Sequence, residues 1–477
     1  MSPKTNQPGC TQFRHSLTVN RRDFLRFGML GAGGAMGLTL SNVLRAQAAG
    51  PTTGQSRTNE TSVIILWMRG GPSHIDMWDM KPEAPAEYRG EFRPINTPVA
   101  GVQISEHLPK SAACMSQWSI IRSMHHRKED GLADHTSGDL ICFTGYPAGN
   151  VQATGGANFY PSCGSVVKRQ LQNRNSALPA YVMVPRMVPG TDAGYFGNAF
   201  RPFETLADPA NNGTFSVPNL QLPRAVSLDR VAGRRHLLSS FDTLRRDIDR
   251  SGTMESMDAY DQQAWEMITG PTAQEAFNFD SEPERVRRRY GIFPRYRSTR
   301  VNAGGDAPNW GQRVLLARRL VEAGVRLVTV DCRWWDTHED NFWSLKNAFL
   351  PRWDAAYSAL IEDLRQRGLL DRTLVVAWGE MGRTPRINTR QGNDKPGRDH
   401  WPKAMSVAIA GGGVQGGRIV GSTNSKGEVP KDNPKVPQDV LATIYRHLGV
   451  TTTTNYSDPT GRPHPVLPCG APIDELF

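Results

Sequence analysis

"VIILWMRGGPSHIDMWDMKP", residues 63–82, sets an apolar, β-branched run directly against Arg69, Gly70, Gly71 and Pro72, followed by Ser73, His74, Asp76 and Asp79. A short continuous apolar run bounded by Gly and Pro predicts a strand covered on both faces that ends near residue 68. Runs of the same character recur at 119–124, 181–185, 326–331, 373–378 and 404–410. Helical patterns separate several of them. In "NWGQRVLLARRLVEAGVRLVTVD", Val314, Leu315, Ala317, Leu320 and Val321 fall at helical spacing, and Gly324 predicts the stop before the next strand. Asn309 with Gln312 predicts a capping box at its start. A second helix is expected over 353–367, ended by Gly368. Helix, glycine, then buried strand is the rhythm of an α/β fold with a mainly parallel central sheet and helices on both faces.

The chain has 477 residues, 38% hydrophobic and 21% charged, enough to bury a sizeable core and too apolar for general disorder. Residues 187 to about 300 break the strand–helix rhythm. They open in a Gly-, Pro- and Asn-rich loop and continue with Leu228, Val231, Leu238, Phe241, Leu244 and Ile248 on one helical stripe. They are expected to form a mostly helical insertion outside the sheet.

The formal charge of +10 is concentrated at the N-terminus, where residues 1–48 hold six basic residues against the single acid Asp23. There, Arg21-Arg22 precede Phe24-Leu25, a short Gly-rich apolar stretch follows, and Ala46-Gln47-Ala48 forms an A-x-A step. That layout predicts a twin-arginine signal peptide over 1–48, a linker over 49–62, and the twin-arginine translocase as a partner. The mature chain is then expected to be periplasmic or extracellular, with no stable membrane span. Its remaining charge is too mild to call for nucleic acid. Cys114, Cys142, Cys163, Cys332 and Cys469 would remain, with no C-x-x-C pair to suggest a zinc knuckle.

Polar clusters follow the predicted strands. His74, Asp76 and Asp79 follow the first; Asp336, His338, Glu339, Asp340 and Asn341 follow 326–331; Glu380 and Arg383 follow 373–378; Asp399 and His400 lie in the loop beyond. Ligands of open parallel sheets bind where strands end. Mixed carboxylates and imidazoles suit zinc, manganese or iron, in a one- or two-metal site. Each cluster taken singly also reads as a turn or a cap. Glu380 is the strongest signal, because a carboxylate buried behind an apolar strand costs several kcal/mol unless it is paired or metal-bound. In "EDGLADHTSGDLICFTGY", residues 129–146, a helix starting near His135 would place Thr136 and Ser137 at its amide-rich end, as nucleophile candidates or as plain caps.

"GGPSHIDMWDMKP", "WWDTHEDN", "GEMGRTPRIN" and "GRDHWP", in that order behind the paired arginines, resemble the domain of unknown function 1501 family, placed among relatives of alkaline phosphatases and sulfatases. The resemblance covers essentially the whole mature chain and implies an alkaline-phosphatase-like α/β fold. It further implies one or two divalent metal ions, zinc first among them, held by Asp76, Asp336, His338, Glu380 and His400. His74, His135 and Asp399 are expected to support them or to join as ligands. The superfamily nucleophile is a Ser, Thr or modified Cys at a helix start, whereas this sequence has His135 close to that place, with Thr136 and Ser137 next to it. "SEPER", residues 281–285, matches the sulfatase signature literally but reads better as a helix start with a capping box. The function implied is an exported metal-dependent hydrolase of phosphate or sulfate esters, small or polymer-borne, with Arg383 clamping an anionic oxygen. The alternative is a catalytically inactive fold that serves as an extracellular binding or assembly protein. A lipase-like serine hydrolase is disfavoured because no G-x-S-x-G elbow is present.

Overall fold

The computed structural model describes residues 61–477 except 133, 150–157, 173–176, 212, 219, 221–264, 295, 298–305, 308 and 390–394. The expected signal peptide with its A-x-A step, nearly all of the expected 49–62 linker and the stripe at 228–248 lie outside the described residues. The described ones belong to one compact unit, Arg57–Phe477.

Its strands and main helices in chain order are β1 (Ser62–Trp67), β2 (Trp118–Met124), α1 (His135–Thr144), α2 (Cys163–Leu171), β3 (Tyr181–Val184), β4 (Phe203–Glu204), α3 (Trp310–Glu322), β5 (Leu327–Asp331), α4 (Leu350–Gln366), β6 (Thr373–Trp378), β7 (Met405–Ala410), β8 (Ile419–Val420) and α5 (Pro437–Leu448). The strands form one eight-stranded sheet in the order β8-β2-β7-β6-β1-β5-β3-β4. Only β7 runs against its neighbours. The expected adjacency of the strands beginning near 63, 326 and 373 is present, with β1 between β6 and β5.

Period-two alternation divides β1 between two cores. Ile64, Leu66 and Met68 pack with Val314 and Leu315 of α3 and Trp353 of α4. Val63, Ile65 and Trp67 face the other way, onto Phe143 of α1, Val166 of α2 and Tyr445 of α5. The side chains of Val63 through Met68 are all fully buried, each contributing on the order of 1.5–3 kcal/mol. This is why the strand reads as an unbroken apolar run.

The insertion departs from expectation at its start, since Phe203–Glu204 pairs with β3 and extends the sheet. Further on, the short helix Pro271–Phe277 and the segment around Glu282 cover the outer face of α3. There Glu282 accepts from both Arg318 (2.6 Å) and Arg319 (2.7 Å), and Arg313 pairs with Asp208. The capping box at Asn309 does not form. Instead Asn309 accepts from the Phe293 amide (2.9 Å), and Gln312 donates to the carbonyls of Arg287 (3.0 Å) and Gly291 (2.9 Å). These residues fasten the insertion to the helix. Ser281 likewise bonds Asn278 and Glu275 rather than capping the helix after it. Among the described residues no helix is long and apolar enough to cross a membrane, and Cys114, Cys142, Cys163, Cys332 and Cys469 are free thiols.

Candidate metal centre

Strands β1, β5 and β6 are parallel, so the segments that follow them leave the same edge of the sheet. Gly70 occupies a tight point there. Its φ of +107° lies where L side chains strain, and a Cβ would come within 2.4 Å of the Trp335 amide nitrogen. With no side chain in the way, the Gly70 N–H donates to both Glu380 oxygens (2.8 and 3.1 Å), linking the post-β1 and post-β6 segments. Helix α1 delivers His135 to the same edge. Asp134 caps that helix and forms the reciprocal box with Ser137.

Three imidazole nitrogens surround one carboxylate oxygen. Asp336 Oδ1 lies 3.0 Å from His338 Nε2, 3.4 Å from His135 Nε2 and 3.4 Å from His400 Nε2. His338 Nε2 and His400 Nε2 are 3.1 Å apart. His135, Asp336 and His400 offer one ligand atom each, all within 4.8 Å of one another. Two of the rings are held from behind by carboxylates: His135 Nδ1 by Glu380 (2.5 Å) and His338 Nδ1 by Asp399 (2.5 Å). Such pairs fix the tautomer that leaves Nε2 facing inward.

These atoms fit a metal ion. Tetrahedral ligands at bonds of 2.0–2.1 Å stand about 3.3 Å from each other, close to the spacings seen here. His135 Nε2 is buried and faces Asp336 Oδ1 at 3.4 Å. The mutually close donors are one carboxylate oxygen and two imidazole nitrogens, from Asp336, His135 and His400, with His338 Nε2 beside Asp336 and His400, a combination suited to zinc. The electrostatics keep the central carboxylate ionised. Burial alone would raise the Asp336 carboxyl, but hydrogen bonds from His135, His338 and His400 and the charge of Arg383 hold it well below the usual carboxylate range. Burial opposes protonation of His135, yet Asp336 and Glu380 lift it to about 9. For His400, the bond to Asp336 favours the charged ring but is outweighed by burial and by Arg383 and His135, so its pKa falls.

The remaining expected site residues fall elsewhere. Asp76 does not join the cluster: Arg398 grips it with Nε (2.7 Å) and Nη2 (2.9 Å), and Ser73 (2.6 Å) and Asn341 (2.9 Å) donate to it as well. Glu380, expected as a ligand, stands behind His135 instead. Arg383 is fully buried and donates to the carbonyls of Gly70, Gly71 and Arg398 and to Asp336, so it orients Asp336 and presents no fork to solvent. The Ser137 hydroxyl is engaged with the Asp134 backbone (2.8 Å each way), while Thr136 is half-buried in the first turn. His74 Nε2 donates to the Gly427 carbonyl (2.9 Å), and no hydrogen bond joins it to the cluster among the described residues. Sequence reasoning missed Arg69, Asp139, Trp334 and Arg398. For Asp139 a signal existed, since it lies four residues after His135 on one helix face.

Comparison with solved structures gives remote likenesses only. The sulfatase PsFucS1 of Pseudoalteromonas sp. is 12% identical, with 83% of this chain and 69% of that chain covered and a TM-score of 0.36. The phosphonate monoester hydrolase SpPMH of Silicibacter pomeroyi is 12% identical, covering 87% and 78% at a TM-score of 0.31. The lipoteichoic acid synthase LtaP of Listeria monocytogenes is 8% identical, covering 83% and 74% at 0.29. At such values these likenesses do not bear on activity. No curated protein matches. The family model described as "Protein of unknown function (DUF1501)" matches residues 60–477, and the chain belongs to that family.

Proposed function

We propose that this protein is an exported, metal-dependent hydrolase of phosphate or sulfate esters. The observation that carries this reading is the convergence of His135, His338 and His400 Nε2 on Asp336 Oδ1, with carboxylates behind two of the rings. His135, Asp336, His338 and His400 would hold the ion. When bound, a divalent metal acts as a Lewis acid toward an ester oxygen and lowers the pKa of water. The chain's own part is to keep three imidazoles aimed inward, hold Asp336 ionised through Arg383, and position Glu380 and Asp399 to fix the rings. The engagement of Ser137 in the helix cap favours a reaction without a seryl intermediate. It also supports the second reading, an inactive fold that binds an extracellular polymer.

Elemental analysis of folded protein from the exported fraction tests the proposal. About one zinc or similar ion per chain is expected. His338→Ala should lose it together with any hydrolysis of aryl phosphate or aryl sulfate. Glu380→Gln should retain the site at roughly 10- to 100-fold weaker affinity. Wild-type protein without metal would refute the hydrolase reading, and metal without esterase activity would favour the binding protein.

A further inference from the structure

Arg69 sits beside the cluster and plays no part in holding it. Its Nε donates to Asp139 Oδ2 (2.7 Å), a fully buried carboxylate that also accepts from Trp67 Nε1 (2.9 Å). The guanidinium carbon lies 4.7 Å over the Trp334 ring. The same indole packs against His135 at 4.8 Å between centroids, so Arg69 and the candidate ligand His135 flank one aromatic ring. The next residue, Gly70, bonds the carboxylate that holds His135. The Arg69 side chain keeps 13% of its surface in solvent, whereas Arg383 keeps none. Its ion pair and cation–π contact fix the Nε side and one ring face. Among the described residues the terminal N–H groups have no hydrogen-bond partner, and together they form a planar fork suited to tetrahedral oxyanions.

We propose that Arg69 recognises the anionic group of the substrate, a phosphate or sulfate, at the mouth of the metal centre. This rests on the hydrolase reading and gives the clamping role expected of Arg383 to a different arginine. Asp139 and Trp334 act as positioning residues: one sets the direction of the fork and the other its plane.

The test titrates inorganic phosphate and inorganic sulfate separately into the full mature protein by calorimetry, with metal content measured on the same samples. Wild type should bind one or both, and the stronger of the two identifies the ester class. Arg69→Gln should weaken that binding at least tenfold with metal content unchanged. That variant leaves Asp139 buried without its cation and can fail to fold. Arg69→Lys therefore serves alongside it, keeping the charge on Asp139 while removing the fork, and should also weaken binding. Trp334→Leu should weaken binding less while the arginine remains. Wild-type-like anion affinity in a folded Arg69→Lys protein, or no binding of either anion by wild type, overturns the proposal. A wild type without metal whose anion affinity still depends on Arg69 would remove the hydrolase reading and leave this inference standing.

Discussion

His126 shows how a buried imidazole outside the metal centre shapes the response to pH. Its Nε2 lies 2.6 Å from the Glu380 carbonyl, so it carries the proton and donates, while the buried Nδ1 has no partner. Burial, only partly offset by that bond and by Asp130 and Glu380, pushes its pKa down to about 4. Between pH 6.5 and 4 the unfolded chain takes up a proton that the folded chain refuses, so stability is fully present above 6.5 and falls with acidification. From pH 7 to pH 5 the loss from this residue is about 2 kcal/mol. Chemical denaturation of metal-free protein at both values should show that slope, and His126→Asn should flatten it. An unchanged slope in the variant would assign the acid sensitivity to other groups. His126 follows a predicted strand, yet nothing nearby in sequence marks its partner, which lies 254 positions away.

At the scale of elements, helix α3 shows where periodicity stopped being informative. Its apolar stripe was legible, whereas nothing in the sequence marked the partners of Arg313, Arg318 and Arg319. The insertion covers that face, and Glu282 and Asp208 meet the arginines there. Breaking a buried pair by removing one partner costs about 3–5 kcal/mol. Glu282→Gln should therefore lower stability by that order while leaving metal affinity unchanged. Asp76→Asn should lower stability and metal affinity together. Arg398, bonded to Asp76, precedes Asp399 and His400, so loosening it loosens two contributors to the cluster. A melting midpoint and a metal titration on each variant separate the outcomes. Equal effects of the two changes on metal affinity would deny Asp76 its positioning role.

For the whole molecule, we propose from the paired Arg21-Arg22 and the Ala46-Gln47-Ala48 step that the chain folds before it is exported. Replacing both arginines with lysine should retain the protein in the cytoplasm, as fractionation and N-terminal sequencing would reveal. Continued export of that variant at normal levels would remove the twin-arginine assignment. A folded cargo also suits a centre assembled from four distant segments, since its ligand atoms come together only after the sheet has formed.

The sequence by itself determined the α/β class and the six main strands, because a strand covered on both faces must be apolar throughout. It also located the segments that converge in the candidate centre, since polar clusters stand where those strands end. The family motifs carried Asp336, His338 and His400 into the candidate site. Only the tertiary structure decided which acid does what. Asp76, Glu380 and Asp399 have the same chemistry in the sequence, and they part company when Arg398, His135 and His338 arrive beside them from far along the chain. The same holds for the arginines: Arg383 is enclosed by carbonyls, while Arg69 keeps part of its surface in solvent. Local pattern encodes burial and period; the partner of a charged group is set by non-local packing, which no window of sequence contains.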